Sequence, residues 1–227
     1  MRKRAETEDL EVAEERLSAR ALAQGDPIGW FDRLYLLGAE GRTTVPWSRT
    51  DPHPLLVRWA RQTSSPHAGR AVVAGCALGA DAVFCARLGC DTVGFDVSAT
   101  AIGMAGKRLL QPDAVEFVVE DLLALPREWR QSYSLVVSII MIQALPPSLR
   151  GRVQKALAAL VAPGGTLLVI EAVADPGLEP HATGPWPLSA SDLLAFLDLG
   201  LQSAHIELVP GEDLAGARWV AEFRRPF

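Results

Sequence analysis

The 227-residue sequence predicts an α/β fold: a doubly wound sheet of seven strands, with an antiparallel terminal strand and an N-terminal helical cap. Two observations carry this. From Gly69 onward, short and nearly continuous apolar runs alternate with helix-length segments, the pattern of parallel strands covered on both faces. After residue 200 the alternation stops. Ala204 to Val209 and Arg218 to Phe223 read as strands joined by a segment with Pro210, Gly211 and Gly216, which predicts an antiparallel hairpin at the sheet edge. The residues ahead of the first strand are helical and proline-rich, so 1–65 is expected to form a cap and 66–227 the core of the same domain.

The elements follow in order. Glu6 to Gln24 is charge-rich, with Leu10, Ala13, Leu17 and Ala21 at helical spacing, which predicts an amphipathic helix laid on the main body. A short helix from Ile28 to Leu37 should end near Gly38, and the Gly, Thr, Ser and Pro content of Gly41 to Pro54 marks a loop. Leu55 to Gln62 is the next helix. The core then runs as strand Arg70 to Ala74, helix Ala80 to Leu88, strand Asp91 to Asp96, helix Ala99 to Leu110 and strand Val115 to Val119. Strand Tyr133 to Met141, helix Ser148 to Val161, a Pro163-Gly-Gly turn, strand Thr166 to Ala172 and helix Ser189 to Leu199 complete it.

Composition narrows the function. The net charge of −5 argues against a broad phosphate-binding surface, so neither nucleic acid nor an anionic membrane is expected as partner. The basic start Met1-Arg-Lys-Arg is followed by Glu6, Glu8, Asp9 and Glu11, not by the apolar stretch of a secretion signal. No run approaches the roughly 18 apolar residues of a membrane span. Cys76, Cys85 and Cys90 are odd in number and lack metal-ligand spacing, so neither a disulfide framework nor a metal is expected. A cytoplasmic location follows from these readings; the oligomeric state stays open.

The chemistry concentrates where strands pass into helices. Gly75 and Gly79 bracket the turn after the first strand, where a glycine lets the backbone turn sharply and approach a ligand. Asp96 ends the second strand about 20 residues on, the spacing of a carboxylate that accepts from ribose hydroxyls. The alternative is a pair of turn glycines and an acid that caps the next helix. The loop Gly75-Cys-Ala-Leu-Gly79 lacks the G-x-G-x-x-G that would cradle a dinucleotide pyrophosphate, which sets a nicotinamide oxidoreductase aside.

From Gly69 to the end the chain resembles the class I S-adenosylmethionine (SAM) dependent methyltransferases, which have a Rossmann-like sheet. The resemblance rests on the loop Gly75 to Asp81, the strand end Val93-Gly-Phe-Asp-Val-Ser98, Glu120-Asp-Leu122, the fourth strand, Pro163-Gly-Gly and the terminal strand pair. It implies that Gly75, Cys76 and Gly79 contact the methionine moiety and that Asp96 holds the ribose. It also implies that Val97 packs on the adenine, Asp121 accepts from the adenine amino group beside Leu122, and Ile139 to Ile142 runs alongside the cofactor. Two positions depart from the family: Val73 stands where an acid is usual and Ala77 where a glycine is usual. The first removes a partner for the loop or the ammonium group, and the second adds a methyl beside the ligand.

Trp30, Tyr35, Val45-Pro-Trp47, Pro54-Leu-Leu and Gly69-Arg-Ala-Val-Val resemble the N-terminal segment of the thiopurine and thiol/halide methyltransferase group. There the segment folds over SAM, which implies a place near the cofactor for Trp47. An aromatic face attracts a desolvated sulfonium; packing of the cap onto the sheet is the equal alternative for Trp47 and the favoured reading for Trp30. His53 and His181 are the candidate general bases, each with the alternative of a plain loop side chain. Tyr35, Met141, Gln143 and Trp186 are candidates for the acceptor pocket, with Asp175 to Pro187 either its wall or an ordinary crossing loop. Glu171 either orients an acceptor or binds a loop amide. The expected function is methyl transfer from SAM by direct displacement to a small molecule (thiol, phenol or similar nucleophile). The alternative is a SAM-binding protein that uses the cofactor structurally or in a non-methylating reaction such as a cyclisation.

Overall fold

A computed structural model describes residues 14–63, 69–108, 115–177, 181–211 and 216–227. Seven strands form one sheet: β1 (Gly69–Ala74), β2 (Cys90–Asp96), β3 (Val115–Val119), β4 (Tyr133–Ile139), β5 (Val161–Ala172), β6 (Gln202–Val209) and β7 (Arg218–Arg224). Their order is β3-β2-β1-β4-β5-β7-β6. The first five pair in parallel, whereas β7 runs antiparallel between β5 and β6. The seven-stranded Rossmann-like sheet with an antiparallel terminal strand is therefore present.

Alternation along the strands divides the core. Val72, Ala74, Val93, Phe95, Val136, Leu167 and Val169 point to one face, where they pack against α6 (Arg150–Leu160) and α7 (Ala190–Leu194). Ala71, Val73, Val137, Leu168 and Ile170 point to the other, beneath α3 (Pro54–Gln62) and α4 (Ala80–Arg87). With a period of two, both faces become apolar only if the strand is apolar throughout, which is why these runs read as continuous.

The cap is fastened by long-range bonds. Residues 14–23 are helical (α1), as is Trp30–Ala39 (α2); Leu10 and Ala13 of the expected first helix lie outside the described residues. On α2, Asp32 accepts from the Ser98 hydroxyl at 2.7 Å and from the Thr100 amide at 2.9 Å, which ties it to the start of α5 (Ala99–Arg108). On α3, Trp59 donates to Glu222 and Arg58 grips Glu207 with both nitrogens, fixing it over β6 and β7.

Several boundaries differ from expectation. β5 begins at Val161, not Thr166, because Pro163-Gly-Gly is not a free turn. Gly164 donates to the Arg225 carbonyl and Gly165 accepts from the Arg225 amide, so the segment stays paired while its register shifts against β4. α2 continues through Gly38 to Ala39. α7 is short: it opens on a Ser189/Asp192 capping box and gives way to a 3-10 turn, Leu197–Leu199, that ends at Gly200 in the left-handed region.

Candidate active site

A cavity of about 440 Å³ lies beyond the carboxyl ends of β1, β2, β3 and β4. β1 has β2 on one side and β4 on the other, so strand order reverses there, the place where open α/β sheets bind ligands.

Gly75, Cys76 and Ala77 form the floor beside β1. Gly75 sits at φ +60, and a Cβ there would meet Met141 Cγ at 2.7 Å, so both conformation and space require glycine. Burial, with the nearby Asp96 charge, pushes the Cys76 thiol well up, which leaves it a neutral small side chain. At the end of β2, Asp96 borders the cavity while 8% exposed. Its Oδ2 accepts from the Ala77 amide at 3.0 Å and its Oδ1 from the Ser98 amide at 2.9 Å. Burial raises its pKa, and these two amides oppose the rise. The carboxylate is held by backbone, with no ion pair among the described residues. Val97 adjoins it; beyond β3, Asp121 and Leu122 continue the wall, with Asp121 accepting from the Leu123 amide.

The β4 side is built under strain. Ile139, Ile140 and Met141 line the cavity, and Ile140 sits at φ +56, unusual for a β-branched residue. Glu171 holds this turn: its carboxylate accepts from the amides of Met141 at 3.0 Å, Ile142 at 2.8 Å and Gln143 at 3.2 Å. Of the two roles expected for Glu171, the structure shows loop-amide binding. Full burial pushes its pKa up to about 7 against those amides. Gln143 also lines the cavity, with Oε1 accepting from the Ala172 amide.

The cap closes the far side. Trp47 Nε1 donates to the Tyr35 hydroxyl at 2.8 Å, and both residues line the cavity. Burial, then the charge of Asp96, raises the Tyr35 pKa, so its phenol stays protonated. Arg49 and Asp81, 2.9 Å apart, also border it. Ile28, Phe31, Leu145 and Pro185 also line it and add apolar surface.

Four candidates stand elsewhere. His53 is 3% exposed and does not line the cavity: its Nδ1 accepts from the Leu55 amide as the N-cap of α3, and its own amide donates to Asp81 at 2.7 Å. Burial, with Arg49 nearby, pushes its pKa down to about 4. His181 is exposed and away from the lining. Gly79, at φ +83, packs under Phe117, whose ring would stand 2.5 Å from a Cβ there. Trp186 is buried behind the wall, its amide donating to the Gln143 carbonyl; Thr183, Gly184 and Pro185 from the same segment line the cavity instead. The departures separate as well: Val73 is buried in the sheet, whereas Ala77 adopts φ +51 at the cavity. Sequence reasoning missed Arg49, Ile28 and Phe31, whereas Pro185 belongs to the Asp175 to Pro187 segment expected as a candidate wall. The one local signal was the position of Arg49, two residues after Trp47; its partner Asp81 is far off in the chain.

Fold and cavity define a doubly wound α/β protein with a cavity of about 440 Å³ at the switch point. Residues 71–165 match a family model described as a methyltransferase domain. The chain is 27% identical to probable thiol methyltransferase 2 of Arabidopsis thaliana over 203 residues, 88% of this chain and 84% of that protein. It is 30% identical to 2-heptyl-1-hydroxyquinolin-4(1H)-one methyltransferase of Mycobacteroides abscessus over 154 residues, 65% of this chain and 64% of that protein. The N-methyltransferase NodS from Bradyrhizobium japonicum, solved with S-adenosyl-L-homocysteine, superposes with a TM-score of 0.64 at 21% identity, covering 86% of this chain and 100% of that one. Residues 71–165 thus form a methyltransferase domain, and the chain resembles the class I SAM-dependent methyltransferases in fold and in its relatives.

Proposed function

We propose that the cavity binds SAM with its ribose on Asp96, its adenine between Val97 and Leu122 beside Asp121, and its amino-acid end over Gly75 and Cys76. The residues fit the group: one backbone-held acid, an apolar slot next to a second acid, and a glycine floor. When bound, SAM supplies an electrophilic methyl on a sulfonium for direct displacement. The observation that carries this reading is Asp96, a buried acid aimed into a cavity at the strand-order reversal rather than into an ion pair.

The protein's part is to bind, orient and exclude water. Trp47 offers an aromatic face to a desolvated cation, worth about 1–2 kcal/mol. Tyr35 fixes the indole through its N–H. Phe31, Ile28, Met141, Leu145 and Pro185 supply an apolar wall for a small acceptor, and holding two reactants in line recovers much of the barrier. Among the described residues, no histidine lines the cavity. The acceptor is therefore one that ionises unaided, such as a thiol, with pKa near ~8.5, or an acidic hydroxyl on an apolar ring. The names of the two curated relatives, a thiol methyltransferase and a hydroxyquinolone methyltransferase, accord with that class.

Of the segment 1–65, the described residues 14–63 act as a cap within the same domain, through Ile28, Phe31, Tyr35 and Trp47. Among the described residues, no helix is long and apolar enough to cross a membrane. We infer a small-molecule rather than nucleic-acid acceptor from the net charge of −5, and a cytoplasmic location from three buried cysteines that form no disulfide among the described residues.

The test is incubation of the purified chain with methyl-labelled SAM and a panel of aryl thiols, acidic phenols and N-hydroxy heteroaromatics. Labelled product is expected from apolar members whose pKa lies below about 9. Binding of SAM without turnover across the panel supports a non-methylating use of the cofactor, and no binding at all overturns the site.

A further inference from the structure

We propose that the Gln143 carboxamide is the hydrogen-bond donor for the methyl acceptor, and that this acceptor is an acidic hydroxyl on an apolar ring, bound as its oxyanion. This rests on the placement of SAM given above. Gln143 is fixed at three points. Its amide donates to Glu171 Oε2 at 3.2 Å, its carbonyl accepts from the Trp186 amide at 2.7 Å, and its side-chain Oε1 accepts from the Ala172 amide at 2.6 Å. The Ala172 N–H requires an oxygen opposite it, which turns the carboxamide NH2 the other way. Nε2 has no hydrogen-bond partner among the described residues yet is not sealed from solvent, and the residue borders the cavity. A side chain only 6% exposed thus keeps an unused donor at the cavity wall, one that is costly to leave unmatched once a ligand displaces water.

The order of the strands says which reactant it meets. The cofactor placed above takes the ends of β3, β2 and β1, and β4 lies on the other side of β1. Gln143 follows β4 in the 3-10 turn Ile142–Ala144, and Met141, Leu145 and Pro185 add apolar surface to the same cavity. Among the lining residues from Ile139 to Leu145, Gln143 has the one side-chain N–H. An apolar wall with a single neutral donor selects an apolar ring with one matching oxygen. Sulfur is a weak hydrogen-bond acceptor, so of a thiol and an acidic hydroxyl the donor favours the second. Hydrogen bonding to the ionised form also favours ionisation, which assists where no histidine among the described residues lines the cavity. One lone pair of the oxyanion takes the N–H and another faces the methyl carbon. That oxygen bonds the methyl as the methyl–sulfur bond breaks, the two charges cancel, and no proton has to leave in the step.

The experiment is calorimetric titration of the full chain, saturated with S-adenosylhomocysteine, with pentafluorophenol and pentafluorothiophenol. At about pH 8 both probes are anions on the same apolar ring and differ only in oxygen against sulfur. Wild type is expected to bind the phenolate about 10-fold or more tightly than the thiolate. Gln143→Met keeps the volume but has no N–H. It should lose about 10–100-fold for the phenolate, as for a hydrogen bond to a charged group, and bind the thiolate within about threefold of wild type. Its affinity for S-adenosylhomocysteine should stay within about twofold. Equal weakening of both probes marks Gln143 as part of the wall only, and that result, or no weakening, overturns the proposal while leaving the cofactor site intact. Wild type that binds S-adenosylhomocysteine but neither probe overturns it too, whereas wild type that binds no S-adenosylhomocysteine overturns the site reading itself. Should Gln143→Met fail to fold, the wild-type comparison decides alone, and a thiolate held as tightly as the phenolate sinks the assignment.

Discussion

The amide of Ala77 donates to the Asp96 carboxylate across 3.0 Å, and it does so from a left-handed backbone, φ +51. An alanine thus accepts a conformation suited to glycine so that its N–H can hold the acid that faces the cavity. That conformation costs an L-residue roughly 1–2 kcal/mol, whereas a glycine costs about 0.4–1 kcal/mol through greater freedom when unfolded.

Ala77→Gly is therefore expected to stabilise the protein by about 0.5–1 kcal/mol, a rise in Tm of roughly 1–4 °C for a chain of this size. Differential scanning calorimetry reads this directly. A fall in Tm would show that the loop draws no strain from the alanine.

Asp96→Asn should keep the fold, since the amide oxygen can still accept from one of the two backbone donors. It removes a charged acceptor of the kind worth about 1.5–3 kcal/mol per hydrogen bond, so affinity for S-adenosylhomocysteine should drop about 10–100-fold. Unchanged affinity by titration calorimetry would place the ribose elsewhere.

Glu171 and His53 set opposing pH dependences. Burial raises the Glu171 carboxyl to about 7. Between the unfolded value near 4.5 and about 7 the folded state keeps a proton that the unfolded state releases, so stability falls as pH rises through that window, by a few kcal/mol at most. Glu171→Gln abolishes that slope, and because its amide nitrogen cannot accept, one of the three turn amides loses its partner. Urea midpoints measured from pH 4.5 to 8 test this: a slope that persists in Glu171→Gln would assign it to another group.

His53 works the other way. Burial lowers it from 6.5 to about 4, so the unfolded chain takes up a proton that the folded chain refuses, and stability falls as pH drops below about 6.5. The two slopes oppose between about 4.5 and 6.5; Glu171→Gln should unmask the His53 slope and His53→Asn the Glu171 slope. His53→Asn keeps an N-cap acceptor, whereas His53→Ala should cost about 1 kcal/mol. Both should retain kcat within about threefold at pH 8, because the side chain does not reach the cavity; a loss of two orders of magnitude would restore it as a base.

The departures that remain are instructive in kind. Trp186 and Pro185 are neighbours, yet Pro185 lines the cavity while Trp186 packs behind it, its amide on the Gln143 carbonyl. Gly79 and Gly75 both adopt positive φ, yet one is shaped by Phe117 and the other by Met141. Neither difference could be read from composition, because which side of a turn faces a ligand depends on what packs against the other side.

By itself the sequence determined the alternation of strands and helices, the antiparallel ending and the placement of Gly75, Asp96 and Asp121 at strand ends. Each of these is written in local periodicity and short spacings, which the backbone turns directly into position. Tertiary structure alone decided that His53 caps a helix, that Glu171 binds three amides, and that Arg49 meets Asp81 at the cavity. Those outcomes depend on contacts made across the fold, and on which polar groups lose water there, and neither quantity exists until the chain has closed.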